Sequence, residues 1–195
     1  MSARIKIKED ADNSDSRTGQ SFGRRLYQLM AAEHANLDRL LVQVSIQEGV
    51  TSIETYGEFR KSLLRHIGIE EKILLPMAQR RCGGKPLALA ARLRLDHGAL
   101  AALMMLPPSA TTLIAIRAVL DTHNPLEEAP GGVYEQCERL AGGELEEILV
   151  RCEVAAKVPV SPWVESPKVL AAAKRMLIRA GYEDSLLNLR DEGTE

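Results

Sequence analysis

Two copies of one helical ligand pair constrain this chain more than any other feature: His66-Ile-Gly-Ile-Glu70-Glu71 and His123-Asn-Pro-Leu-Glu127-Glu128. Positions i and i+4 of an α-helix lie about 40° apart around the axis and about 6 Å along it, so the imidazole and carboxylate of each HxxxE face one point. The chain has four histidines. The other two, His34 and His97, each follow an acidic residue and open a Leu-rich helical run, Glu33-His34-Ala-Asn-Leu and Asp96-His97-Gly-Ala-Leu. Two pairs and two single histidines on four helices would place four neutral nitrogens and two carboxylates in one bundle core. That donor set suits two transition metals bridged by the carboxylates.

Apolar periodicity puts every histidine on an inward stripe. A first helix over 21–47 carries Tyr27, Met30, His34, Leu37 and Leu41 on one face. A second begins near Thr51 or Ser52, carries Phe59, Leu63, His66, Glu70 and Leu74, and ends at Cys82-Gly83-Gly84, with Pro76 expected to kink its last turns. Pro86 suits the first turn of a third helix, which holds Leu93, His97 and Leu100 and stops at Pro107-Pro108. Ser109 suits the N-cap of a fourth, which turns Ile116, Val119, His123 and Leu126 inward.

The expected fold is therefore all-α: an up-down-up-down four-helix bundle with additional C-terminal helices. Residues 1–20 read as a flexible N-terminal arm and 21–156 as the bundle, its last part holding shorter helices over 133–140 and 143–156. Residues 157–195 read as a Pro-containing strap, expected to be pinned by Trp163, and an amphipathic helix opened by Ser166-Pro167. That helix can pack on the bundle or on a protein partner.

Composition removes several function classes. With 27 acidic and 25 basic residues the net charge is −2, which offers no attraction for nucleic acid or an anionic membrane surface. No apolar stretch reaches bilayer length, and the first twenty residues lack an apolar targeting segment, so a cytoplasmic protein is expected. The three cysteines, Cys82, Cys137 and Cys152, form no CxxC pair, which argues against a disulfide framework or a cysteine zinc site. Cys82 and Cys137 follow the two HxxxE motifs at similar distances, and two unrelated thiols are the preferred reading over a redox pair.

A single buried histidine is ordinarily satisfied by a neighbouring carbonyl or carboxylate. Six inward polar side chains without a metal would each cost on the order of 1–3 kcal/mol, which favours a shared metal site. A ferritin-like ExxH pairing is absent, since Ala31, Leu63, Arg94 and Leu120 stand three residues before the histidines, and no HExxH zinc helix occurs.

The residues Glu33-His34, His66-x-x-x-Glu70-Glu71 followed by Ile-Leu-Leu-Pro76, Asp96-His97 and His123-x-x-x-Glu127-Glu128 resemble the hemerythrin-like family, known for its HHE cation-binding motif, over about residues 21–142. The resemblance implies a non-haem di-iron centre with an oxo or hydroxo bridge. In it His34, His66, His97 and His123 are terminal ligands, Glu70 and Glu127 are bridges, and zinc or manganese are substitutes. The oxygen-carrying members bear a second histidine one turn after the third-helix one; here that position is Ala101, so one metal loses a ligand and its position opens to water, peroxide or another side chain. Pro125 raises the alternative that Glu128 rather than Glu127 faces the metals, and the i+4 spacing favours Glu127.

The function implied is binding of, or reaction with, dioxygen, peroxide or nitric oxide, in sensing or in a stress response. Its enzymatic form would be a di-iron oxidase or peroxide-reactive activity. The alternatives are iron handling without turnover and an interaction module that uses the bundle as scaffold.

Overall fold

The structure is a computed structural model that describes residues 25–46 and 52–188. These are all-helical, with no strand among them. The expected arm over 1–20, the first helix's expected start at Ser21 and its end at Gln47 lie outside the described residues. Helix α1 is Arg25–Ile46 and α2 is Ile53–Ile69, the latter capped by the Ser52 hydroxyl, which accepts from the Thr55 amide. A π turn, Glu70–Leu74, joins α2 to α3, Leu75–Arg81.

That π turn is how the helix passes Pro76. The proline has no N–H to give, and upstream of it the ladder widens so that the Leu75 amide bonds to the Glu70 carbonyl, five residues back. The chain stays helical through Pro76 to Arg81. It stops at Gly83 and Gly84, both at positive φ, where the Gly84 amide returns to the Gln79 carbonyl.

Helix α4 is Ala90–Leu103, so Pro86 precedes the helix instead of occupying its first turn. Leu87, which is buried, and a turn at 88–89 intervene, and the Leu87 carbonyl receives the first helical amide, that of Ala90. Helix α5, Ala110–Glu128, starts at a Ser109 cap bonded to the Thr112 amide and stays helical through Pro125. Helices α6, Val133–Ala141, and α7, Leu145–Glu153, follow, then the strap and α8, Pro167–Arg179.

The core has two apolar parts with the polar site between them in the chain's helical stripes. One gathers Leu37, Leu41, Phe59, Leu63, Leu100, Leu103, Ile116 and Leu177; the other gathers Leu26, Met30, Leu74, Met77, Leu93, Tyr134 and Ile148. Helix α1 packs on α2, α5 and α6, and α4 packs on α5 and α8. The strap is tied at three points. Val164 donates to the Met105 carbonyl, Arg60 donates to the Ser161 carbonyl, and Trp163 packs near the rings of Tyr56 and the Arg60 guanidinium. Of the C-terminal helix, Ala173 and Leu177 are spent on the core, so this helix packs on its own chain.

Candidate metal centre

His34 comes from α1, His66 from α2, Glu70 from the first residue of the π turn, His97 from α4, and His123 and Glu127 from α5. All six are buried, none more than 5% exposed. Four helices thus deliver the six side chains named from the sequence to one place.

Their donor atoms form two groups, His34, His66, Glu70 and Glu127, and Glu70, His97, His123 and Glu127, each with its atoms within 4.8 Å of one another. In the first group the two Nε2 atoms of His34 and His66 are 2.9 Å apart, His66 Nε2 is 3.3 Å from Glu70 Oε1, and His34 Nε2 is 3.3 Å from Glu127 Oε2. In the second, His97 Nε2 is 3.1 Å from Glu70 Oε2 and His123 Nε2 is 3.2 Å from Glu127 Oε1. Each carboxylate therefore offers one oxygen to one pair of histidines and its other oxygen to the second pair.

These spacings fit metal ligation. Ligand atoms about 2.1 Å from an ion and at right angles to each other sit about 3.0 Å apart. Moreover, Glu70 Oε2, His97 Nε2 and Glu127 Oε1 are buried and make no hydrogen bond among the described residues, although each lies close to another polar atom of the group. Close approach of buried polar atoms without a hydrogen bond is what a cation between them would satisfy.

The outward nitrogens of three rings are held by carboxylates. Glu128 lies 2.5 Å from His34 Nδ1, Glu71 lies 2.9 Å from His97 Nδ1, and Asp96 lies 3.4 Å from His123 Nδ1. Such partners fix the ring tautomer so that Nε2 is free to ligate. The second glutamate of each Glu-Glu pair thus supports a histidine on another helix. Of the two carboxylates that Pro125 left open, Glu127 is fully buried among the donor atoms and Glu128 is about a third exposed.

Ala101 lies exposed on α4, and among the described residues Tyr134 of α6 reaches the centre beside the six. Its hydroxyl is 2.6 Å from Glu70 Oε1 and 2.9 Å from Glu127 Oε2, either of which can accept its proton, and 3.1 and 3.3 Å from Nε2 of His34 and His66. The phenol therefore stands on the His34–His66 side only. Sequence reasoning missed it because a tyrosine on a short amphipathic helix reads as core. The available signal was its place two residues after Gly132, where α6 turns back on the end of α5. A Cβ at Gly132 would meet the Glu127 carbonyl oxygen at 2.6 Å, so only glycine permits that return.

The charges explain themselves physically. Burial works to lower the His97 and His123 pKa values, but the neighbouring Glu70 and Glu71 carboxylates carry His97 up to about 9, and those of Asp96 and Glu127 carry His123 up to about 10. Burial likewise opposes His34, which is raised by Glu127 and Glu128. Burial works to raise Glu70, yet His66 and His97 hold it well below the usual carboxylate range. Burial, with Glu70 and Glu127 beside it, pushes the Tyr134 phenol well above 10. Without a cation, His97 and His123 hold their protons beside the carboxylates, and a cation would enter by displacing them.

The thiols take no part. Burial pushes Cys137 up to about 12 and Cys152 up to about 11, so neither is an activated nucleophile, and all three cysteines are free. An open cavity of about 760 Å³ lies between α1 and α5, with His34 and Glu128 in its wall beside Ala31, Ala35, Asn124 and Pro125. Among the described residues no helix is long and apolar enough to cross a membrane.

Compared with known proteins, the chain matches no family model, no curated protein sequence and no solved structure.

Proposed function

We propose that the chain is a hemerythrin-like protein whose four long helical segments form a four-helix bundle around a non-haem di-iron centre. On this reading the centre binds or reacts with dioxygen, peroxide or nitric oxide. One observation supports it above the rest: Glu70 and Glu127 each turn one oxygen to the His34–His66 pair and the other to the His97–His123 pair. Two bridging carboxylates between two imidazole pairs are the arrangement that holds two ions a few ångströms apart. Glu128, Glu71 and Asp96 set the ring orientations, and the ions supply redox and Lewis-acid chemistry when bound.

Tyr134 moves the reading toward reaction rather than reversible carriage. A phenol oxygen on one side of the centre is a hard donor that favours the ferric state, and a protein that carries oxygen must return to ferrous after each cycle. The cavity between α1 and α5 gives a small ligand a path to the His34 side, with Glu128 at its inner wall.

Anaerobic reconstitution with ferrous iron followed by exposure to air tests the proposal. Two iron ions per chain and new near-ultraviolet charge-transfer absorption are expected. Stoichiometric iron with no spectral change on oxidation, or no iron uptake at all, would refute it. A His66→Ala, Glu70→Ala double variant that folds and keeps the biological activity would instead support an interaction module.

A further inference from the structure

The sequence repeat predicts a symmetric centre, and the structure breaks that symmetry at one place. Asp96 precedes His97 on α4 as Glu33 precedes His34 on α1. Asp96 is fully buried and holds Nδ1 of His123. By the repeat, Glu33 should do the same for His66, but it pairs with Arg65 at 2.8 Å. Arg65 in turn donates to the carbonyls of Cys152, Glu153 and Ala155 at the end of α7. His66 Nδ1 is left buried with no hydrogen-bond partner among the described residues.

Asp96 is itself held from outside the repeat. Arg92, one turn earlier on α4, sits side-on to it, with Nε 3.1 Å from Oδ2 and Nη2 3.0 Å from Oδ1. The same guanidinium donates to the Ala180 carbonyl at 2.6 Å and to the Tyr182 hydroxyl at 3.0 Å, and lies over the Tyr182 ring. Ala180 and Tyr182 flank Gly181, whose φ of +82° lets α8 end in a tight turn, with the Tyr182 amide returning to the Leu177 carbonyl. The docking is close: a Cβ on Gly98, the neighbour of His97, would meet Cε of Met176 at 2.7 Å. An unbroken chain of polar contacts thus runs from the end of α8 through Arg92 and Asp96 to the ring of His123.

We propose that the end of α8 is a working part of the metal centre, fixing His123 through the positioning residues Arg92 and Asp96, so that the His97–His123 half takes the first ion and holds it more tightly than the His34–His66 half. This rests on the metal reading above. In the tighter half both imidazoles have a carboxylate on Nδ1, Glu71 for His97 and Asp96 for His123, which raises ligand basicity and removes rotational freedom before binding. In the other half His66 lacks one, and Tyr134 completes the donor set.

Titration of the full-length metal-free protein with Co²⁺ against a competing chelator, followed by cobalt visible absorption, tests this. Wild type is expected to bind two ions in two steps. Tyr134→Phe, which alters the His34–His66 side, should move only the weaker step. Asp96→Asn should weaken the tighter step about ten- to a hundredfold and shift the spectrum of the first ion, in keeping with the loss of a ligand's supporting carboxylate. Tyr182→Phe, which changes only the half-buried far end of the chain of contacts, should weaken the same step several-fold and serves if Asp96→Asn does not fold. Glu33→Gln should leave the tighter step unmoved. A purely structural role for these residues would lower thermal stability without changing the separation of the two steps. No cobalt uptake by wild type would sink the metal reading and this inference together. Two-ion binding with the tighter step unmoved in Tyr182→Phe, and in Asp96→Asn where it folds, would overturn this inference and leave the metal reading standing.

Discussion

Replacing Tyr134 with phenylalanine keeps a fully buried ring in place and deletes one oxygen from the centre. In the metal-free protein that oxygen lies between Glu70 Oε1 at 2.6 Å and Glu127 Oε2 at 2.9 Å, and its proton is shared with buried carboxylates. A hydrogen bond to a charged group contributes about 1.5–3 kcal/mol, and the abandoned oxygens belong to buried carboxylates, so Tyr134→Phe should destabilise the metal-free protein by about 2 kcal/mol. In the loaded protein the loss falls on the His34–His66 half. A missing donor or supporting group there should weaken that ion about ten- to a hundredfold, or about 1.4–2.7 kcal/mol. Urea unfolding with a chelator present measures the first quantity and chelator competition the second. Oxidised, iron-loaded wild type should also show a visible phenolate-to-ferric charge-transfer band that the variant lacks. A variant with unchanged urea midpoint, unchanged affinity and the same visible spectrum would refute the placement of Tyr134 at the metals.

Gly132→Ala forces a Cβ to within 2.7 Å of two carbonyl oxygens, Glu127 and Ala129, and neither belongs to a side chain that can swing away. It should cost about 1–3 kcal/mol and lower metal occupancy by shifting Tyr134, readable by thermal unfolding and metal analysis. Glu127→Ala should abolish binding of the second ion, whereas Glu128→Ala should keep two ions per chain and weaken them about ten- to a hundredfold; metal analysis after dialysis separates the two. The pH dependence of the metal-free protein follows from the raised histidines. His97 and His123 have folded pKa values of about 9 and about 10 against an ordinary 6.5, so their contribution is fully present below 6.5 and is lost as pH rises through 9 to 10. The depressed Glu70 acts in the opposite sense and loses its contribution as pH falls through the acid range. Urea midpoints with chelator should therefore decline from pH 6 to pH 10. In the metal-loaded protein that alkaline decline should vanish, because the cation has replaced the protons.

The long helices and the six central side chains were legible because both depend on local spacing. His66 and Glu70, or His123 and Glu127, share a helix face wherever the helix goes, and burying an apolar stripe carries them inward together. What could not be read depends on where helices cross. Asp96 meets His123 from a different helix, 27 residues away in the chain, and nothing in Asp96-His97 as a dipeptide names that partner. The same holds for Glu71 with His97 and Glu128 with His34, although the doubled glutamates were plain in the sequence. Tyr134 enters from α6 only because Gly132 lets the chain fold back against Glu127, a steric fact invisible in a periodicity plot. Pro76 showed that the second helix must adjust, but not that it would widen into a π turn starting on the ligand candidate Glu70. Pro86 misled for a related reason: its fixed φ suits a first helical turn, yet burial of Leu87 takes the chain inward before α4 begins at Ala90.

The most direct test is an anomalous-scattering map at the iron edge from crystals of the iron-loaded protein. Two peaks about 3.5–4 Å apart are expected, one between His34 and His66 and one between His97 and His123, with Glu70 and Glu127 spanning both. A single peak, peaks outside this cluster, or none from crystals grown with ample ferrous iron would contradict the account.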